Sequence, residues 1–205
     1  MTEPAPIVFV VDDDPSVRKA LARLLKSALL PVEVFASAQE FLERPLPDAP
    51  ACLILDVRMP GLDGLDLQSA LAERNSSLPI IFVSGRGNIA TAVRAMKGGA
   101  VDFLTKPVND QELLMTVRRA LARHAQARQA GAELAGIRQR AQGLSQRERE
   151  VMALVVSGLL NKQAGYKLGI TEKTIKVHRA QVMHKMGANS LPELVRMAER
   201  MELRA

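Results

Sequence analysis

The sequence predicts an α/β domain with a doubly wound parallel sheet, followed by a small all-α domain. Five short, β-branched apolar runs alternate with amphipathic stretches in the first 108 residues. After Asp110 only helical periodicity continues. The charge changes along the chain as well: residues 1–124 carry 14 Lys and Arg against 15 Asp and Glu, whereas residues 125–205 carry 14 against 7. The basic later part therefore suggests a polyanionic partner.

The five apolar runs have the character of buried parallel strands, because they are short and apolar on both faces. They cover residues 7–11, 32–35, 52–55, 80–83 and 101–104. Between them, apolar residues recur at helical spacing, as at Val17, Leu21 and Leu24. This alternation indicates a doubly wound sheet, in which sites form at the carboxyl ends of the strands.

The remaining residues are predicted to form a linker and four further helices. Residues 123–143 are rich in Ala, Gln and Arg, so we expect a semi-rigid, largely helical linker that its glycines weaken. Four helices should follow in residues 144–205. Their expected starts are Ser145 (with Glu148 in a capping box), Asn161, Thr171 and Ser190, and the first three are expected to end near Gly158, Gly169 and Gly187.

Composition excludes several classes of protein. Hydrophobic residues make up 47% and charged residues 24%, which is typical of folded globular chains. The longest apolar runs fall far short of the ~18 residues of a membrane span. The sequence also begins without a secretory signal pattern, so we expect a cytoplasmic protein. The single cysteine, Cys52, excludes an internal disulfide and a cysteine-cluster zinc site.

Polar residues follow four of the five apolar runs. Residues 12–14 are all Asp, Asp56 follows the third run, Ser84 the fourth and Lys106 the fifth. The carboxyl ends of parallel strands meet at one edge, where several carboxylates would repel one another unless a cation joined them. Mg²⁺ is suited to such a site because it needs only one or two carboxylates. The combination matches phosphoryl transfer onto an aspartate.

Each of these residues has an expected role. Asp56 would be the nucleophile, since it is a single carboxylate at the central strand end. Asp13, with Asp12 behind it, would hold Mg²⁺. Lys106 would pair with one phosphoryl oxygen, and Ser84 would donate a hydrogen bond to another. Taken alone, each residue has a simpler explanation: an aspartate after a strand is often only a helix N-cap, and a serine or lysine there is often a turn residue or a solvated one.

Residues 7 to about 122 resemble the receiver domain of two-component response regulators. The matching elements are Val10-Val11-Asp12-Asp13-Asp14, the ten residues Leu55-Asp56-Val57-Arg58-Met59-Pro60-Gly61-Leu62-Asp63-Gly64, Phe82-Val83-Ser84-Gly85 and Phe103-Leu104-Thr105-Lys106-Pro107. The resemblance implies a flavodoxin-like fold and phosphorylation of Asp56 by a histidine kinase. It implies no enzymatic activity beyond the receiver's own phosphoryl transfer and dephosphorylation.

The resemblance also implies a metal site and a switch. The implied Mg²⁺ ligands are Asp13, Asp56 and the backbone carbonyl of Arg58, with Asp12 beside them. Ser84 and Phe103 are expected to switch together on phosphorylation. Arg58 and Arg86 flank the pocket at positions that influence phosphoryl lifetime in this family. We expect these two cations to slow the attack of water on the phosphoryl group.

The third helix of the basic segment is suited to a DNA major groove. Its back is apolar, with Ile175, Val182 and Met186, and its front combines lysines with small apolar residues: Lys173, Lys176, Val177 and Ala180. The preceding helix and the turn at Gly169 complete a helix-turn-helix. The residues expected to meet phosphates are Lys162, Thr174, His178, Arg179 and Lys185. A helical bundle with a charged exterior is the simpler alternative.

This segment resembles the LuxR-type helix-turn-helix of FixJ-like response regulators. The matching elements are Leu144-Ser145-x-Arg147-Glu148-x-Glu150-Val151, Asn161-Lys162, the run from Thr171 to Arg179, and Lys185-Met186. The resemblance implies that Lys176 and Val177 read bases, and that the last helix pairs two protomers through Leu191, Leu194, Val195 and Ala198. Ala164-Gly165 departs from the family pattern. An interior glycine costs ~1 kcal/mol relative to Ala, so we expect a less firmly seated second helix.

The predicted function is that of a DNA-binding transcriptional response regulator, in which phosphorylation of Asp56 promotes dimerisation and promoter binding. The expected domains are a receiver at residues 1–122, a linker at 123–143 and a DNA-binding domain at 144–205. One alternative is a Mg²⁺-dependent phosphatase or transferase, but no substrate cap is visible in the sequence. Another is a binding module with an unphosphorylated acidic site. A membrane-surface role is weaker, because the basic residues lie in capped helices.

Overall fold

A five-stranded parallel sheet is the centre of the first of two units, which divide between Arg128 and Gln129. The computed structural model describes residues 5–85 and 89–201. The strands are β1 (Ile7–Val11), β2 (Val32–Phe35), β3 (Ala51–Asp56), β4 (Ile80–Ser84) and β5 (Asp102–Thr105). Their order in the sheet is β2-β1-β3-β4-β5. The predicted doubly wound sheet is confirmed, with each strand boundary within one residue of the expected position.

Helices cover both faces of this sheet. They are α1 (Pro15–Ser27), α2 (Ala38–Glu43), α3 (Gly64–Glu73), α4 (Ile89–Lys97) and α5 (Asp110–Gln142). Val8 and Val10 of β1 pack in one core cluster with residues of α1 and α5, whereas Phe9 and Val11 pack in another with residues of α2, α3 and α4. Each strand therefore buries alternate residues on opposite faces, which explains why the strand sequences are apolar throughout.

Cys52 on β3 has no exposed surface and lies in the cluster that contains Val8 and Val10. Burial raises the pKa of its thiol to about 12. Because the thiolate is the reactive form of cysteine, this side chain acts as a small apolar residue of the core.

The second unit begins within α5 and contains four further helices. These are α6 (Gln146–Val156), α7 (Asn161–Leu168), α8 (Glu172–Met186) and α9 (Leu191–Arg200). The predicted caps are present: Ser145 forms a capping box with Glu148, and the side chains of Thr171 and Ser190 accept backbone N–H groups. In residues 5–85 and 89–201, no helix has both the length and the hydropathy needed to cross a membrane.

The end of α5 belongs to the core of the second unit. Ile137 is only 4% exposed and packs in one cluster with Met186, Leu194 and Ala198. The predicted linker is helical as far as Gln142, but its second half also supplies a core residue. Ile137 was not among the predicted core residues, although its spacing from Ala141 and Leu144, which pack in the same cluster, is the i, i+4, i+7 pattern of a buried helix face.

Gly165 allows two backbone segments of the helix-turn-helix to approach closely. A Cβ atom at this position would lie 2.8 Å from the carbonyl oxygen of Ile170, in the turn after α7. The amide of Ile170 in turn donates to the carbonyl of Gly165 at 3.0 Å. The glycine therefore has a packing role: it costs helix propensity, but it lets the turn close against the helix.

Replacing Gly165 by alanine is expected to destabilise the second unit. Alanine gains ~1 kcal/mol of helix propensity, but its methyl group would clash with backbone, and overpacking typically costs about 1–3 kcal/mol. Gly131→Ala is the matched control, because a Cβ there meets nothing within 4 Å. It should stabilise by about 0.5–1 kcal/mol. Denaturation followed by circular dichroism measures both changes, and stabilisation by Gly165→Ala would contradict the packing role.

Candidate functional site

The sheet brings the predicted polar residues together at its carboxyl edge. Val11 pairs with Leu55 across β1 and β3, and Ser84 pairs with Thr105 across β4 and β5. The residues that follow or end these strands therefore share one edge. Of the group, Asp12, Asp56 and Ser84 are buried, with 2%, 7% and 3% of their surfaces exposed.

Lys106 links two of the acidic residues directly. Its Nζ lies 2.7 Å from Oδ2 of Asp12 and 2.7 Å from Oδ1 of Asp56. The other carboxylate oxygen of Asp56 accepts the backbone N–H of Arg58 at 2.6 Å. Both oxygens of Asp56 are thus hydrogen-bonded, and its negative charge is offset by one ammonium.

Burial and this ion pair shift two pKa values. Burial raises the pKa of Asp56 above its ordinary value, and the hydrogen bond and charge of Lys106 offset this only in part. For Lys106, burial acts to lower the pKa, but its bonds to Asp12 and Asp56 outweigh burial and raise it. Asp56 is consequently a more basic carboxylate than an exposed aspartate, beside a firmly protonated lysine.

The three consecutive aspartates have different surroundings. Asp14 is the N-cap of α1: its Oδ1 accepts the backbone N–H groups of Ser16 at 2.7 Å and Val17 at 3.4 Å, and these bonds lower its pKa. Asp12 is buried and bound to Lys106. Asp13 is exposed, and its carboxylate takes part in no hydrogen bond or ion pair within the described part of the chain. The simple N-cap explanation therefore holds for Asp14 and not for its two neighbours.

The oxygen donors at this edge fit a hard divalent cation that takes few of its ligands from the protein. Within residues 5–85 and 89–201, no three His, Cys, Asp or Glu side chains converge as a ready metal cage. Mg²⁺ does not need such a cage, since it keeps several waters and binds one or two carboxylates. The uncommitted Asp13 and the nearby Asp56 are donors of this kind. The site therefore fits Mg²⁺ better than a metal that requires a complete set of protein ligands.

The remaining predicted residues lie around this centre. Ser84 ends β4, and its carbonyl accepts the backbone N–H of Lys106 at 2.9 Å. Phe103 on β5 is half-buried and stacks on Phe82, with ring centroids 6.1 Å apart. The Lys106–Pro107 peptide bond is cis. The expectation for Arg86 lies outside the described residues.

Gly64 contributes to the site through the backbone. A Cβ atom at Gly64 would lie 2.2 Å from the carbonyl oxygen of Asp56 and 3.1 Å from Cα of Val57. The first turn of α3 therefore packs directly against the backbone of the buried acid. The signal in the sequence is the Asp63-Gly64 pair, which ends the ten-residue element that resembles receiver domains. Its role in backbone packing is visible only in the structure.

In the second unit, the exposed face of α8 is the one predicted to enter a groove. Lys173, Lys176, Val177 and Ala180 are all exposed, whereas Ile175, Val182 and Met186 are buried beneath them. Lys176 is 3.0 Å from Glu172 one turn earlier, in an exposed pair of a kind worth only about 0.3–0.5 kcal/mol. Such a weak pair leaves the lysine available for another partner.

Three of the five residues expected at phosphates already have partners within the unit. Lys185 Nζ lies 2.7 Å from Oε2 of the buried Glu148, and this bond lowers the pKa of Glu148. Arg179 donates to the side-chain oxygen of Asn161 at 3.2 Å. The Nδ1 of His178 is buried and has no hydrogen-bond partner in the described part of the chain. Lys162 is exposed. The backbone N–H of Thr174 donates to the side chain of Thr171, the N-cap residue of α8.

The residues expected to pair protomers are partly used inside the unit. Leu194 and Ala198 are at most 2% exposed and pack with Ile137 of α5. These two side chains cannot also contact a second copy while this core is closed. Leu191 and Val195 are half-buried, so the prediction for α9 now rests on them.

Comparison with known protein families gives two matches that together cover most of the chain. Residues 8–118 match the model described as "Response regulator receiver domain". Residues 142–198 match "Bacterial regulatory proteins, luxR family". The first match contains the acidic site, and the second contains α6 to α8 and most of α9.

Individual relatives resemble nearly the whole chain. Nodulation protein W of Bradyrhizobium diazoefficiens is 50% identical over 199 residues, which are 97% of this chain and 88% of that protein. Transcriptional regulatory protein FixJ of Azorhizobium caulinodans is 48% identical over 192 residues, 93% of this chain and 90% of that protein. Among solved structures, the response regulator StyR is similar with a TM-score of 0.87 and 44% identity, covering 96% of this chain and all of StyR.

The raised pKa of Asp56 predicts that its ionised form destabilises the fold. An acid whose pKa rises on folding stabilises the fold below its ordinary pKa, here 3.8, and loses that contribution as the pH rises through the folded value. Asp56→Asn should therefore increase the free energy of unfolding at neutral pH, and the difference should vanish in acid. Urea denaturation at several pH values measures this dependence.

Asp14→Asn is the control for this experiment. The pKa of Asp14 is lowered, so its charged form stabilises the fold above its ordinary pKa, and asparagine keeps the N-cap. This variant should show no gain at neutral pH. A loss of stability in Asp56→Asn at neutral pH would contradict the predicted cost of the buried charge.

Proposed function

The chain belongs to the response regulators that join a receiver domain to a LuxR-type DNA-binding domain, and we propose that phosphorylation of Asp56 controls how tightly it binds promoter DNA. One observation carries this proposal: the carboxylate of Asp56 is buried at the carboxyl edge of the sheet, with the Lys106 ammonium 2.7 Å away. The phosphodonor would be a histidine kinase, and the site of action the cytoplasm.

The proposed reaction is attack by a carboxylate oxygen of Asp56 on the phosphorus of a phosphohistidine. A new O–P bond forms and the P–N bond breaks, which returns the histidine to the kinase. Mg²⁺, bound by Asp13, Asp56 and the Arg58 carbonyl beside Asp12, would neutralise charge on the carboxylate and the incoming group. Lys106 would exchange its bond to Asp56 for one to a phosphoryl oxygen. The Ser84 hydroxyl would donate to another oxygen. Water would later attack the phosphorus, break the O–P bond to Asp56 and release inorganic phosphate, which restores the free carboxylate.

Phosphorylation adds about −1.5 to −2 charge by analogy with other phosphoryl groups. This charge would be added at the carboxyl edge of the sheet, where the Lys106 ammonium lies close to Asp56. We propose that Ser84 moves toward the phosphoryl group and that Phe103 turns into the space it leaves. The face formed by α4, β5 and α5 would then pair two receivers. Supporting this, Ile89, Val93 and Met96 of α4 are exposed, at 85%, 44% and 46%.

Promoter binding is proposed to occur through α8. Lys173, Lys176, Val177 and Ala180 would face the bases of the major groove, and Lys162 on α7 would meet a phosphate. Thr174, His178, Arg179 and Lys185 were also expected at phosphates. Because Lys185 and Arg179 already have partners in the unit, we assign them a smaller share of the contact than the exposed Lys162.

The alternative interpretations are less well supported. The two family matches are typical of regulators rather than of metabolic enzymes, which disfavours a phosphatase or transferase acting on a separate substrate. A module with an unphosphorylated acidic site would not explain why Asp56 is both buried and paired with a lysine.

Treatment with a small phosphodonor and Mg²⁺ is expected to add one phosphoryl group at Asp56 and to increase duplex affinity. Mass spectrometry of peptides locates the group, and fluorescence anisotropy with promoter fragments measures the affinity in the same samples. Asp56→Asn should gain no mass and show no change in affinity. Equal promoter affinity before and after modification of Asp56 would refute the proposed switch.

Two lysine variants should separate base reading from phosphate binding. Lys176→Ala is expected to change the preference among duplexes, because it should weaken binding to the preferred sequence by about 1–3 kcal/mol. Lys162→Ala should weaken binding to all duplexes alike and reduce the salt slope of log K by about 1. Titrations of several duplexes at several salt concentrations measure both. Identical effects of the two variants on every duplex would overturn this division of contacts.

A further inference from the structure

Arg18 is a cation beside the acidic residues that has no part in the reaction proposed above. It lies in α1, half-buried, and its Nη1 donates to the main-chain carbonyl oxygen of Asp12 at 2.6 Å. Among the ion pairs of the described residues, none involves Arg18, although Asp12, Asp13 and Asp14 are close in sequence. The guanidinium thus binds the backbone of the acidic turn rather than its carboxylates.

This bond completes the anchoring of the turn between β1 and α1. The N–H of Asp12 donates to the carbonyl of Phe35 on β2 at 3.3 Å, and Oδ1 of Asp12 accepts the N–H of Asp14 at 2.9 Å. With its carbonyl held by Arg18, Asp12 is fixed through its amide, its carbonyl and its side chain. Asp13 is therefore bracketed by two anchored residues.

The choice of acceptor matters for a cation site. An arginine that bound the carboxylate of Asp13 would occupy the oxygens that a metal needs, whereas an arginine on the carbonyl of Asp12 leaves them available. Some groups hydrogen-bond to metal ligands and so orient them; removing such a group typically lowers the metal affinity by about 10–100-fold. Arg18 occupies such a supporting position at this site.

We propose that Arg18 is a positioning residue for Mg²⁺: by holding the Asp12 carbonyl, it fixes the β1–α1 turn so that the carboxylates of Asp12 and Asp13 are preorganised for the cation. This inference rests on the magnesium site of the proposed function. The proposed effect of Arg18 on Mg²⁺ affinity is opposite in sign to that of simple charge repulsion, since a nearby positive charge by itself repels Mg²⁺. The two effects therefore predict opposite signs when Arg18 is replaced.

The test is calorimetric titration of Mg²⁺ into the full chain for the wild type and three variants. Arg18→Met keeps the aliphatic length of the side chain but removes the donor and the charge, and it should bind Mg²⁺ about tenfold more weakly. Lys19→Met removes the same charge from an exposed neighbour on α1 and should bind as tightly as the wild type or slightly more tightly. Arg18→Lys keeps a charged donor and should recover most of the affinity.

Equal or tighter Mg²⁺ binding by Arg18→Met would overturn the inference and leave the proposed function intact. A wild-type chain that bound no Mg²⁺ would overturn both. Phosphorylation by a small donor gives a second readout: its rate in Arg18→Met should return to the wild-type value at saturating Mg²⁺, and a rate that stayed low would also contradict the inference. If Arg18→Met does not fold, Arg18→Gln is compared with Lys19→Gln by the same criteria.

Discussion

The Lys106 ammonium between the carboxylates of Asp12 and Asp56 is the interaction on which the acidic site depends. These three residues follow or end three different strands, and they meet only because β1, β3, β4 and β5 are parallel neighbours in the sheet. The lysine lets two buried carboxylates remain close at an edge where burial already raises the pKa of Asp56. It also occupies an oxygen of the proposed nucleophile, so the proposed phosphoryl transfer would require this ion pair to rearrange.

The second unit uses its charges differently. Its surplus of basic residues suggested a polyanionic partner, but several cations serve the unit itself: Lys185 neutralises the buried Glu148, and Arg200 pairs with Glu133 at 2.8 Å. The exposed front of α8 and Lys162 are the cations that we propose for a duplex. The number of basic residues in a segment therefore overstates its binding surface, because that number does not distinguish a paired lysine or arginine from a free one.

Much of the fold and the site could be predicted from the sequence, because the signals are local. Apolar runs located the strands within one residue, and polar caps located the starts of α6, α8 and α9. Predictions were weaker where a role depends on distant neighbours. Asp12 and Asp14 have the same side chain in the same tripeptide, yet one binds a lysine 94 residues away and the other caps a helix. Likewise, nothing local to α9 showed that Leu194 and Ala198 pack against Ile137.

The sequence by itself determined the order of strands and helices, the caps, the basic later part and the set of polar residues at strand ends. These properties depend on side-chain type and spacing along the chain, which are visible without coordinates. Tertiary structure alone decided which of three aspartates stays uncommitted, which cations are already paired, and why Gly64 and Gly165 permit close backbone approaches. The physical reason is that distances between remote residues, and the burial that shifts a pKa, exist only once the chain has folded.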